Sequence, residues 1–182
     1  MKRLLLAVIA TTIALSVSAK GDYMNLDAFL GLVFDNGEPA REALWFSSDQ
    51  RREIKTMLGH EPGALRQRYW GQGLRTAWVL EEIGKERPIT IGIAIEDGRI
   101  SRLEILSFRE SRGWEVRYPF FTDQFIGVGL EDDGKLSRQV DGITGATLSV
   151  RAVKKVAKLA LYLHRQTPYT DTDADEQIAA TL

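Results

Sequence analysis

The sequence predicts an α+β fold: an antiparallel sheet packed against helices, with a small helical N-terminal extension. Three observations carry this reading. Ile89, Ile91, Ile93 and Ile95 alternate with Thr90, Gly92 and Ala94, the period of two expected of a strand. Asp97-Gly98 follows at once and suits a type I′ turn, whose two central residues both need positive φ. Farther on, SVRAVKKVAKLALYLHRQ sets Val150, Val153, Val156, Ala157, Ala160, Leu161 and Leu163 on a broad apolar side. Arg151, Lys154, Lys155, Lys158 and Arg165 lie largely on the other side, as in a surface helix.

Each element follows in order. Lys2 and Arg3 precede the short uncharged run Leu4 to Ala19, which closes in Val17-Ser18-Ala19. That pattern fits a signal peptide over 1–19, with an uncleaved N-terminal anchor as the other reading. Residues 20–66 read as a helical extension. Pro39 stands at a plausible first helical position in EPAREALWF. Ser48 is the expected cap of the next helix, which carries Ile54, Met57 and Leu58 on one face and stops at Gly59 with Pro62 beyond. Residues 67–168 form the main domain. Ala77 to Ile83 is strand-like, residues 89–95 form a strand with a bulky face and a small-residue face, and Ser101 to Leu106 is the return strand. The small face leaves room for a helix or a flat ligand, a packed helix being the commoner reason. FTDQFIG, 121–127, suggests a short helix, and 148–166 forms the long one. Residues 169–182 read as an acidic tail, loosely ordered.

Composition narrows the function. The chain has 182 residues, with 24 Lys plus Arg against 25 Asp plus Glu, and a net charge of −1. Loss of Lys2 and Arg3 with the leader would take this to −3, so nothing points to nucleic acid. The absence of cysteine excludes disulfides, thiolate catalysis and cysteine-based metal sites. Asp171, Asp173 and Asp175 resemble the start of a calcium loop, but Glu176 replaces its glycine and Leu182 its last ligand. Gly71-Gln72-Gly73 and Gly127-Val128-Gly129 lack the third glycine of a dinucleotide fingerprint, and neither a P-loop nor G-x-S-x-G occurs. His60 and His164 are the only histidines. His164 falls near a helix end, where it reads as a C-terminal charge partner rather than a base. No metal site and no catalytic residue is expected.

What remains is DGITGATLS, 141–149. Gly142 and Gly145 permit unusual backbone angles and close approach to a ligand. Thr147 sits just ahead of the long helix, where its hydroxyl can cap. The helix start suits a phosphate. On these grounds alone a capped glycine loop without ligand stands beside an anion site.

D-x-x-[ST]-G-A-T at a helix start resembles the signature of the FMN-binding domain family. This family includes flavin-carrying periplasmic subunits of the sodium-pumping NADH:quinone reductase and of Rnf-type complexes. The resemblance implies that Thr147 is esterified to the phosphate of FMN by a periplasmic flavin transferase, which uses FAD and magnesium. It places Thr144, Gly145 and Ala146 at the S/T-G-A positions and Asp141 at the leading acidic one. Ser149 supplies the hydroxyl two residues on. Upstream, Glu110 and Gly113 match the spacing of the family's E-T-P-G-L-G-like loop, with Ser111 and Arg112 in place of Thr and Pro. The resemblance covers roughly 70–166. Trp114 and Tyr118 then stack on the flavin or belong to the core. Arg109 and Arg112 stand near the flavin or are solvated. The function implied is electron transfer outside the cytoplasm by a redox carrier rather than a self-sufficient enzyme. Its partners would be the flavin transferase and a redox donor and acceptor, a membrane electron-transfer protein among the candidates. A flavin-bearing reductase subunit and a non-redox anion-binding or adaptor domain are the alternatives.

Overall fold

A computed structural model describes residues 21–35 and 37–170. The expected signal peptide and its cleavage site, and the aspartates at 171–175, lie outside the described residues. The fold is α+β, as the sequence predicts. Six strands form one antiparallel sheet in the order β1-β6-β5-β4-β3-β2. They are β1 Gly21–Asp22, β2 Ala40–Trp45, β3 Arg66–Gln72, β4 Arg75–Ile83, β5 Pro88–Glu96 and β6 Arg99–Phe108. Four helices accompany them: α1 Leu26–Val33, α2 Ser48–Leu58, the single turn α3 Pro119–Thr122, and α4 Thr147–His164.

The central meander forms where the alternation places it. Ile89, Ile91, Ile93 and Ile95 are all fully buried on the face covered by α4. Asp97 and Gly98 turn the chain at φ 50° and 67°, the left-handed values a type I′ turn demands. The opposite, small face is filled by α1. A Cβ added at Gly92 would stand 2.8 Å from the Phe29 ring, so the glycine is there to let the helix approach.

The N-terminal segment departs from a purely helical extension. α1 and α2 form, but AREALW is strand β2 rather than a helix. Its half-buried residues Glu42 and Leu44 alternate, and it pairs with β3 from Ala40↔Gly71 to Trp45↔Arg66. Good helix formers yield here to the unpaired edge of β3, a case of tertiary pairing overriding propensity. β1 closes the other edge beside β6. The cap of α2 is Ser47, one residue earlier than expected. Its Oγ accepts from Gln50 N while Gln50 Oε1 accepts from Ser47 N, a reciprocal capping box. Gly59 ends the helix at φ 81°. Of the tail, Tyr169 is anchored: its hydroxyl donates to Glu42 at 2.5 Å.

His164 is not a charged helix-end partner. It is fully buried, its Nδ1 lies 2.8 Å from Thr76 Oγ1, and Trp78 Nε1 donates to that same oxygen. Burial, aided by the Arg165 charge, pushes its pKa down to about 4 from 6.5. The folded protein therefore holds His164 neutral, while an unfolded chain binds its proton from pH 6.5 downward. Stability from this group is complete above pH 6.5 and declines as pH falls toward 4, by up to about 3 kcal/mol. His60, raised by the Glu61 carbonyl and by Glu82, works in the opposite direction, its contribution being lost as pH rises through its folded value. Urea unfolding of wild type and His164→Gln at pH 7 and pH 4.5 checks this. The variant should lose less stability on acidification than wild type does; equal losses would remove His164 as the cause.

Candidate functional site

The loop DGITGAT is built around one tight turn. Ala146 N donates to Ile143 O at 3.0 Å, and Gly145 takes φ 84° at the third position, as a type II turn requires. That turn makes Ala146, not Thr147, the N-cap of α4. Ala146 has φ −113° and no side-chain oxygen, and its methyl is buried in the core. Thr147 is thus the first helical residue and is exposed. The expected capping by the Thr147 hydroxyl is not formed, because the buried Ala146 sets the helix boundary one residue earlier. The first-turn amides of Thr147, Leu148 and Ser149 have no acceptor within the helix, which gives this end its positive character.

The loop after β6 packs directly on this helix start. Gly113, at φ 85°, opens a 3-10 turn over Trp114–Arg117. A Cβ there would lie 2.4 Å from Ser149 Oγ and 3.5 Å from Ala146 Cβ. Gly113, Ala146 and buried Ser149 are therefore brought together, with Gly145 and Thr147 beside them. Asp141 and Thr144 are exposed on the loop, and Asp141 N donates to Gln124 Oε1 at 2.7 Å. Trp114 is half-buried against the core and meets Tyr118 edge to face at 5.5 Å. The Arg117 guanidinium lies over Trp114, Tyr118 and Tyr23 at 4.5 to 5.1 Å.

Two residues, Glu110 and Arg109, have surroundings that the resemblance did not imply. Glu110 is buried, and its Oε1 accepts from the backbone N–H groups of Lys85, Glu86 and Arg87 at 2.5, 2.6 and 2.9 Å. It fastens the β4–β5 turn. Burial opposes its charge, but the three amides prevail and hold the carboxyl below its ordinary value. Arg109 faces the α1 side of the sheet, where it pairs with Asp22 and Glu81 and donates to Thr90 Oγ1. Arg112 is exposed.

Sequence reasoning missed the cleft into which Thr147 opens. It has a volume of about 580 Å³, within the range of small-molecule sites. Met57, Leu136, Val140, Ile143 and Val150 give it an apolar lining. Lys135, Arg138, Arg151, Lys154, Lys155 and Lys158 line it as well, with no carboxylate among the lining residues. Several of these cations also hold the walls. Lys154 donates to Val140 O, Arg138 to Gln124 O and Ile126 O, and Lys155 to Leu58 O and to buried Glu82. Residues 151, 154, 155 and 158 are spaced as one helical stripe with Thr147, a signal that was legible but resembles an ordinary solvated face. The stretch at 135–140 carried no signal.

Residues 84–162 match the family model of the FMN-binding domain. The chain carries an FMN-binding domain. No curated protein matches the chain. The FMN-binding domain match takes in β5, β6, the Glu110–Trp114 loop, DGITGAT and nearly all of α4, while α1, α2 and the four strands β1 to β4 lie outside the match. The residues present fit FMN: an exposed hydroxyl at a helix start, a lysine- and arginine-lined cleft for its phosphate, and apolar walls for a flat ring. Among the described residues no group of three or more His, Asp or Glu could hold a metal ion.

The tie made by Glu110 has a measurable worth. Glu110→Ala leaves three turn amides without their acceptor and should lower stability by roughly 1–3 kcal/mol. Glu110→Gln, which keeps one acceptor oxygen, should lose less. Its stabilising effect should be full above pH 4.5 and fade as pH falls through the lower folded value. Denaturant titration at neutral pH tests the order; unchanged stability in Glu110→Ala would show that the turn does not depend on it.

Proposed function

We propose that this protein is an exported electron carrier that holds FMN covalently through its phosphate at Thr147. The observation that carries this is the exposed Thr147 hydroxyl at the uncapped start of α4, inside the segment matched as an FMN-binding domain. A hydroxyl committed to a cap would be a poor acceptor for a transferase; this one has no such commitment.

Attachment in this reading is a transfer from FAD. The pyrophosphate bond of FAD breaks, a bond forms between Thr147 Oγ and the flavin phosphorus, and AMP leaves with the hydroxyl proton. A magnesium-dependent flavin transferase supplies the catalysis. The first-turn amides and the positive end of α4 then face the attached phosphate. Gly145 keeps the approach to Thr147 open, since no heavy atom lies within 4 Å of where a Cβ on it would stand. Once bound, the flavin supplies exchange of one or two electrons; the protein binds, orients and tunes it.

Export to the periplasm rests on Lys2-Arg3, the short apolar run and Val17-Ser18-Ala19. Among the described residues no helix is long and apolar enough to cross a membrane. A tether suits that compartment, because a dissociated cofactor would be diluted away while a linked one keeps its local concentration. The electron donor and acceptor are separate partners, and a membrane electron-transfer protein is the natural candidate for one of them.

Co-expression with a periplasmic flavin transferase, followed by intact-mass and peptide analysis, tests the assignment. Wild type should start at Lys20 and carry one FMN, on the peptide containing Thr147. Thr147→Ala should carry none and, with no cap to lose, should stay within about 0.5 kcal/mol of wild-type stability. Thr144→Ala and Ser149→Ala should retain partial labelling. A full FMN adduct on Thr147→Ala overturns the assignment.

A further inference from the structure

The basic lining of the groove beside Thr147 extends farther than one phosphate needs. Six lysines and arginines line it, and no carboxylate does. A phosphate on Thr147 meets the first turn of α4, whereas Lys154 and Lys158 lie roughly 10 and 16 Å farther along the helix axis. Lys135 is paired with Asp133, and Lys154 donates to Val140 O. Arg151 and Lys158 make no hydrogen bond or ion pair among the described residues. The sequence concentrates the opposite charge in DTDADE, 171–176, with four carboxylates and no cation. The described chain delivers that segment to the far end of the groove. Thr170 stands six residues past His164, the end of α4, and the approach to it is held: Gln166 Oε1 accepts from Gln50 and Tyr169 donates to Glu42. Lys158 lies roughly 9 Å back from His164 along the axis, and an extended chain of six residues spans roughly 20 Å.

We propose that the acidic segment 171–176 folds back over the far half of this groove and sets its carboxylates against Lys158, Lys154 and Arg151. The chain's own segment is favoured over a free anion or a second copy because it is tethered close by. Its local concentration is on the order of millimolar, above what either competitor reaches in dilute solution. Exposed ion pairs are individually weak and are screened by salt, so the contact holds at low ionic strength and opens as salt rises. The segment confines the open positive charge to the Thr147 end and shields the rest from other polyanions. Groove and segment are both present whether or not a flavin is attached, so this inference stands apart from the tethering reading.

Zero-length carbodiimide coupling of the full chain, which joins a carboxylate to a lysine amine with loss of water, tests this at low salt. Peptide mass mapping should find Asp171, Asp173, Asp175 or Glu176 joined to Lys154 or Lys158. Product should fall about fivefold at about 1 M salt, where the screening length is ~3 Å. A mixture of ordinary and heavy-isotope chains should give cross-links within one chain only. A variant combining Asp171→Asn, Asp173→Asn, Asp175→Asn and Glu176→Gln removes the charge and should remain folded by circular dichroism. In it Lys158 should be acetylated about threefold faster than in wild type, once the tethered shield is gone. Lys85, on the β4–β5 turn, should keep its rate. Cross-links to Lys85 in place of Lys154 and Lys158 overturn the proposal. So do cross-links between heavy and light chains, which would make a second copy the occupant, and an unchanged Lys158 rate in the variant.

Discussion

The contact between α4 and the isoleucine face of β5 is the constraint on which the other parts depend. Val153, Val156, Ala157 and Ala160 are fully buried against a floor that includes Ile91, Ile93 and Ile95, also fully buried. Burying each large aliphatic side chain stabilises by about 1.5–3 kcal/mol. A helix held by several such contacts can neither slide nor rotate without exposing them. The two alanines let it lie close to the sheet. The position of Thr147, at the first residue of the same helix, is therefore fixed by the core rather than by its own loop.

The remaining walls of the site are attached to α4 by polar contacts. Lys154 holds Val140, and Lys155 holds the end of α2 and the buried Glu82. The helix thus acts as the spine of the site, and its basic residues are structural ties as well as a positive lining. The other face of the sheet serves a different end. There α1 reaches Gly92 through Phe29, and β1 and β2 cover the outer edges of β6 and β3. A segment outside the FMN-binding domain match therefore completes the sheet on both sides.

The parts of the fold that were legible in the sequence are those decided by local pattern. The alternation of 89–95, the Asp97-Gly98 turn and the apolar side of α4 each contain their own signal within a few residues. The failures share a cause. AREALW has helical propensity, but an unpaired β3 edge far along the chain makes it a strand. His164 looks like a helix-end cation until Thr76 and Trp78 enclose it. Glu110 matches a motif position, yet its carboxylate answers three amides of a turn more than twenty residues away. At the candidate site, DGITGAT marked the helix start, while the cleft needed α2, α4 and the 135–143 loop to be assembled before it existed.

The start of α4 differs from the starts of α1 and α2 in its capping. α1 is capped by Asn25, whose Oδ1 accepts from Ala28 N at 2.8 Å, and α2 by the Ser47–Gln50 box. The longest helix has alanine at the same position and no side-chain cap. A serine or aspartate there would add about 1 kcal/mol. It would also place an oxygen over the first-turn amides and a polar group where Ala146 is now 3% exposed. The missing cap leaves those amides without a side-chain acceptor and leaves the next residue's hydroxyl outside the cap. Forfeiting a cap at this one terminus is the kind of local inconsistency expected where function competes with stability. The core beneath α4 is extensive enough to tolerate it.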